Sequence, residues 1–402
     1  MDSGPSNSDP KPRKKRRIDC HDEQFPSSAP PNEEAKSLLI PNFPDELLVE
    51  ILSRLPARSL GKFKCVSKSW LSLFSTPQFI KAHLAIASGL DDYSHRSLIF
   101  TVLPPNTSAH LKRCSAAIST GILEVTDIDY PMKSPDKSFW TVGACNGLVC
   151  VTVDEKYLFL WNPCTKKFKN LPDIDVELKH GFYMMYGFGY DELHDDYKVV
   201  RIFCSFVGVA FETEVNLYSL KNNSWSRIGD FKGGIPLMDS AHYVNGNLHW
   251  AASTGLVWNI VSLDLAKLTY GEMERPSFED CLDYWAIGVL GGCLSVLYEF
   301  AQKGVDVWVM KVYGDKDSWT KIVTVPYLDY PDKLGCSWPV CLLKNGEILL
   351  VIHSVLVLYC PKSKKFRWYP QINGLEEVSM FVESLISPDL HDGEQSTLRL
   401  LG

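Results

Sequence analysis

None of the twelve cysteines in this 402-residue chain forms a Cys-x-x-Cys pair. The close pairs Cys145/Cys150 and Cys336/Cys341 have no matching His or Cys knuckle, so no metal ligand is assigned. Most of the cysteines lie in strand-like apolar runs, where a free thiol packs as a small hydrophobe. The chain also lacks an apolar run of membrane-spanning length. Its longest, residues 348–360, is broken by His353 and Ser354 and falls short of the roughly 20 residues a bilayer requires. No basic start leads into an apolar run, so no secretory leader is read. These absences predict a reducing compartment and no membrane partner, with the sequons at Asn106 and Asn222 without consequence. Gly-x-Ser-x-Gly, His-Glu-x-x-His and Gly-x-x-x-x-Gly-Lys are missing as well. The densest titratable cluster, Asp191-Glu192-Leu193-His194-Asp195-Asp196, lacks the Gly and closing Glu of a calcium loop and reads as an acidic turn between strands. No catalytic residue and no cofactor is assigned. A net charge of −7 argues against a nucleic-acid-binding core.

What is present begins with a helical pattern at residues 41–84. Leu47, Leu48, Ile51, Leu52 and Leu55 recur at one broad face of a helix. Pro44 suits a first helical turn, Asp45 and Glu46 place negative charge at its positive end, and Pro56 stops it. Leu60, Phe63 and Val66 suggest a second short helix. Ser67 can cap a third that carries Trp70, Leu71 and Phe74. A unit of about 45 residues rarely stabilises itself without a metal, a disulfide or a partner. Its surplus apolar surface therefore serves either as a cap on a larger core or as an interface with another protein.

The residue order Pro-Asp-Glu-Leu-Leu-x-Glu-Ile-Leu-Ser-Arg-Leu-Pro from Pro44, followed by Ser-Leu-x-x-Phe-x-Cys-Val-Ser-Lys-Ser-Trp from Ser59, resembles the F-box of plant F-box proteins. Phe43 stands where the family usually has Leu. The resemblance implies a three-helix module that docks a Skp-type adaptor, and through it a cullin and a RING protein. By the same resemblance the adaptor contacts fall on Phe43, Pro44, Leu47, Leu48, Ile51, Leu52, Leu55, Leu60, Phe63, Val66 and Trp70. Some of these must instead hold the helices together, and spacing does not sort the two sets.

Residues 1–38 carry no apolar period and read as a disordered tail. Lys11, Arg13, Lys14, Lys15, Arg16 and Arg17 form a basic run with the composition of a nuclear-import signal. Nearby acidic residues offset its charge, so the other reading is a solvated tail. The expected localisation is nucleus and cytoplasm, with no nucleic-acid partner.

From about residue 97 the helical period gives way to short strand-like runs. Asn146-Gly147, Asn245-Gly246 and Asn345-Gly346 each sit between such runs and signal hairpins. Units of the form Val305-Asp306-Val307-Trp308-Val309 followed by Ser318-Trp319-Thr320 fall midway between them, giving a period of about 45 to 50 residues. The span 97–388 thus holds about six four-stranded units, the pattern of a kelch-like β-propeller. Gly291-Gly292 is a further, weaker kelch-like mark. Neighbouring blades must stack and the ring must close, so residues 378–386 are expected to pair with 97–103. Trp161, Trp225, Trp319 and Trp368 are expected to pack between blades. The remaining boundaries are an F-box at 39–86, a linker at 87–96 and a C-terminal tail at 389–402.

Cys145-Asn146-Gly147-Leu148, Leu160-Trp161-Asn162-Pro163, Tyr186-Gly187-Phe188-Gly189-Tyr190-Asp191 and Phe381-Val382-Glu383-Ser384-Leu385 resemble, in this order, the F-box-associated domain of plant F-box proteins. The likeness is nearest to members described as regulators of plant defence. It implies a non-catalytic substrate receptor of an SCF-type ubiquitin ligase, whose propeller binds a target protein for degradation. Aromatic residues in the connections, Tyr284, Trp285, Tyr327, Tyr330 and Trp338, are candidates for target binding. A propeller enzyme or small-molecule binder with a helical cap, or a nuclear scaffold, are the alternatives.

Overall fold

Alternating apolar residues punctuated by turn formers produce antiparallel strands from Arg96 to Val382. The computed structural model describes residues 44–89, 95–102, 110–115, 125–134, 137–154, 156–174, 182–207, 210–237, 240–255, 257–277, 285–300, 304–326, 337–352 and 354–389. Among these, the strands form six sheets. The chain is mainly β, a six-bladed propeller preceded by a small helical module.

Blade 1 combines Leu375–Val382 with Arg96–Val102, His110–Ser115 and Val125–Asp127. Blade 2 comprises Phe139–Cys145, Leu148–Val153, Tyr157–Trp161 and Phe168–Asn170, and blade 3 comprises Tyr183–Asp191, Asp196–Val207, Ala210–Ser219 and Ser224–Gly229. Blades 4, 5 and 6 span 235–273, 285–326 and 337–373, the fourth with five strands. The ring closes by the expected antiparallel pairing, but with the strand Leu375–Val382 rather than 378–386: Arg96 pairs with Val382, and the register runs on to Phe100 with Val378, leaving 383–386 beyond the strand. Both edges of that sheet's first strand are thereby paired, which removes an exposed edge.

The hairpin dipeptides do what their chemistry allows. Asn146 and Gly147 have φ of 52° and 86°, Asn245 and Gly246 have 50° and 76°, and Gly291 and Gly292 have 59° and 80°. Two consecutive positive φ values make a two-residue turn whose twist matches its strands. Gly291-Gly292 therefore holds in blade 5 the place that Asn-Gly holds in blades 2 and 4. The third Asn-Gly differs. Leu343 N donates to Glu347 O at 2.8 Å, so Lys344-Asn345-Gly346 form a three-residue loop in which only Gly346 has positive φ.

Apolar layers fill the spaces between sheets. Tyr186, Tyr197 and Tyr218 are buried between blades 2 and 3, and Trp250 between blades 3 and 4. The tryptophans named above pack in this frame. Trp161 is buried, and Trp368 is half-buried against the layer between blades 5 and 6. Trp225 is the second residue and Trp319 the first of an outer strand, and their indole N–H groups donate to Pro172 O at 2.8 Å and Glu274 O at 3.0 Å, in the segments leaving the preceding blades.

The helical region has four helices rather than three: α1 (Asp45–Leu52), α2 (Ala57–Phe63), α3 (Lys68–Leu73) and α4 (Pro77–Gly89). Ser67 caps α3 by accepting from Trp70 N at 3.1 Å. Thr76 Oγ1 accepts from Phe79 N at 3.3 Å, and Pro77 takes the first helical position, so α4 has its own start signal. Phe79, His83 and Ala87 form its buried side, and the helix continues into the stretch read as linker.

Candidate protein-interaction surfaces

The apolar stripe of α1 divides in two. Leu52 is 5% exposed and Leu60 of α2 is 0% exposed, whereas Leu47 is 45%, Ile51 54% and Val66 65% exposed. Leu47 and Ile51, one turn apart, share one face of α1. Pro44 and Leu71 are also exposed. Leu48, Leu55, Phe63 and Trp70 are partly buried against the cluster formed by Leu52, Ala57, Leu60, Phe74, Phe79 and Leu385. Aromatic edges lock that cluster: Phe63 to Trp70 at 5.5 Å, Trp70 to Phe74 at 5.6 Å, and Phe74 to Phe79 at 5.0 Å between ring centroids. Leu52 and Leu60 are therefore internal supports, and Pro44, Leu47, Ile51 and Val66 are the residues of the expected adaptor set with free surface. Phe43 lies outside the described residues, as do Lys11, Arg13, Lys14, Lys15, Arg16 and Arg17.

The helices stand on one end of the propeller. Lys81 of α4 pairs with Asp195 at 2.7 Å, and Tyr190 O–H donates to the same carboxylate. These two hydrogen bonds, that of Lys81 foremost, hold the Asp195 carboxyl below the ordinary range. The acidic turn is thus a structural joint. Asp191 accepts from the backbone N–H groups of Leu193 and His194, and from Lys198 Nζ at 2.6 Å. Asp196 accepts from Ser219 Oγ at 2.6 Å and Lys221 N at 2.8 Å. No group of three or more His, Cys, Asp or Glu among the described residues is arranged to hold a metal ion.

A second joint is buried. Ser97 Oγ donates to Glu383 at 2.9 Å, Arg113 donates to Ser97 Oγ at 2.8 Å, and Arg113 and Glu383 are ion-paired. All three residues are buried, so each charge needs the other. His83 Nε2 donates to Leu55 O at 3.0 Å, and its ring meets that of His95 edge-on at 6.0 Å. Burial above all lowers the His83 pKa, which keeps the imidazole neutral.

Successive strands in each sheet are antiparallel, so hairpins alternate between the two ends of the ring. The turns at 145–148, 161–168 and 191–196 lie at the helical end; the paired strand ends Val207 with Ala210 and Thr254 with Val257 lie at the opposite end. At that opposite end Phe206 and Trp258 are exposed. Phe206 contacts Phe211 at 5.2 Å, Phe211 stacks on Tyr183 at 6.3 Å, and Trp258 lies 6.1 Å from Trp285. Trp285 is buried, because it is the first residue of an inner strand. Trp338 is half-buried against the layer between blades 6 and 1. Tyr284, Tyr327 and Tyr330 lie outside the described residues. Trp258 had a faint sequence signal, an aromatic side chain three residues from the turn glycine Gly255.

Comparison with known proteins matches this architecture. A family model described as "F-box domain" covers residues 40–82, and one described as "F-box associated beta propeller domain" covers residues 110–381. An F-box/kelch-repeat protein of Arabidopsis thaliana is 33% identical over 362 residues, covering 87% of this chain and 96% of that protein. The F-box protein CPR1 of Arabidopsis thaliana is 33% identical over 364 residues, covering 80% and 83% respectively. The chain therefore belongs to the plant F-box proteins that carry an F-box associated beta propeller domain.

Proposed function

We propose that this protein is the non-catalytic substrate-recognition subunit of an SCF-type (Skp–cullin–F-box) ubiquitin ligase. Its helices dock a Skp-type adaptor, and through it cullin and RING subunits. Its propeller holds a target protein for ubiquitination and proteasomal degradation. The single observation that carries this reading is the free apolar surface of Leu47, Ile51, Val66 and Leu71 on a helical module whose other large apolar side chains, such as Leu52, Leu60 and Phe74, are packed. Burying such side chains against a partner is worth roughly 1.5 to 3 kcal/mol each. The protein contributes proximity and orientation, raising the effective concentration of target near the charged carrier.

The aromatic residues Phe206 and Trp258, at the end remote from the helices, are proposed as part of the target-binding surface. From the likeness of its propeller motifs the protein is proposed to act as one of the defence-regulating members of the family, and the basic run at 11–17 is proposed to give access to the nucleus as well as the cytoplasm. Co-purification of the full chain with a Skp-type adaptor tests the core of this reading. Failure with every adaptor isoform contradicts it. Proximity labelling with degradation blocked tests the target surface: the joint change Phe206→Ser and Trp258→Ser should alter the labelled set and leave adaptor binding intact. An identical labelled set removes these residues from the surface.

A further inference from the structure

The helical module does not close its own core; the residue that closes it comes from the far end of the chain. Leu385 is 3% exposed and shares one apolar cluster with Leu52, Leu60, Phe74 and Phe79. It lies three residues past the end of the ring-closing strand Leu375–Val382, and its flanks are fixed to the propeller. Glu383 N donates to His95 O at 2.7 Å, and Ser384 Oγ donates to Asn146 O at 2.8 Å. The amide of Asn162, itself buried, donates to the carbonyls on both sides of Leu385, those of Ser384 at 3.1 Å and Ile386 at 2.7 Å. Cys164, two residues beyond Asn162, packs against the same helical cluster.

We propose that residues 383–386 are a positioning element for adaptor docking. They present Leu385 as the last piece of the helical core and hold the helices at one orientation on the ring. The F-box of this chain is then not autonomous: an intact adaptor surface depends on a segment delivered by ring closure. This inference rests on the reading of the helices as an adaptor-docking module.

Hydrogen exchange and titration with a purified Skp-type adaptor, on the full chain carrying Leu385→Asp or Leu385→Met, test it. In Leu385→Asp the amides of α2 and α4 should exchange at least tenfold faster, strands Cys293–Phe300 and Ile348–Ile352 should exchange as in wild type, and adaptor affinity should fall at least tenfold. Leu385→Met should restore both, since it conserves volume and apolarity. Unchanged helical protection in Leu385→Asp overturns the proposal. So does simultaneous loss of protection in helices and strands, which makes Leu385 a residue of the whole fold. If wild type itself does not bind the adaptor, the docking reading fails, while the exchange pattern still decides the coupling.

Discussion

The side-chain amide of Asn162 donates to the carbonyl of Ile386 at 2.7 Å, across 224 positions of sequence. Its other end is occupied too: Oδ1 accepts from Cys164 N at 2.8 Å and Thr165 N at 3.2 Å. One buried side chain thus builds the turn of blade 2 and anchors the segment that carries Leu385. Asn162→Ala leaves buried donors and acceptors unpaired, and we predict a loss of about 3 kcal/mol. Urea unfolding should show a lower midpoint with an unchanged slope. A change below about 0.5 kcal/mol, the range of an ordinary surface substitution, contradicts this role.

Gly147 and Gly246 occupy the same turn position in different blades, with φ of 86° and 76°. A Cβ on Gly147 would stand 2.1 Å from Ser384 Oγ and 2.7 Å from Val382 O, whereas one on Gly246 would meet nothing within 4 Å. Gly246→Ala should cost only the left-handed backbone penalty, about 1–2 kcal/mol. Gly147→Ala should cost clearly more, because it pushes on the C-terminal segment as well. Chemical denaturation of the two variants side by side checks the order, and equal losses would refute the clash.

His249 supplies a pH dependence. Its Nδ1–H donates to His242 O at 3.0 Å, and Nε2 accepts from Tyr313 O–H at 2.9 Å, which fixes the neutral ring. Burial lowers its pKa from 6.5 to about 4. The unfolded chain binds the proton first, so stability is complete above pH 6.5 and falls as pH drops toward 4. Full expression of this linkage is worth about 3 kcal/mol. His242, its cross-strand partner, moves in the same direction. Unfolding free energies measured from pH 7 to pH 4.5 should fall, and His249→Gln should flatten the slope. An unchanged slope in that variant assigns the effect elsewhere.

How far the sequence spoke for itself depended on the range of the physics. Asn146-Gly147 and Asn245-Gly246 were legible as hairpins because positive φ is a local demand. Asn345-Gly346 was legible as a turn, but its loop length is set by the backbone pair between Leu343 and Glu347. Leu52 and Ile51 are adjacent in one apolar stripe, and only the packing of the helices on one another and on Leu385 sends the first inward and leaves the second outside. Trp285 looked like a loop aromatic beside polar neighbours, yet it begins a buried inner strand. The motifs around Asn146, Asn162 and Ser384 resembled a family in order; that they meet at one joint is a tertiary fact.

The central claim is that the exposed part of the α1 stripe docks a Skp-type adaptor. Titration of purified full-length protein with that adaptor, comparing wild type with Ile51→Asp, tests it most directly. A central interface anchor is worth at least about 2 kcal/mol, so Ile51→Asp should bind roughly 30-fold more weakly or worse. Its unfolding midpoint should stay at the wild-type value, because Ile51 is 54% exposed. Wild-type affinity in a folded Ile51→Asp variant would contradict the account.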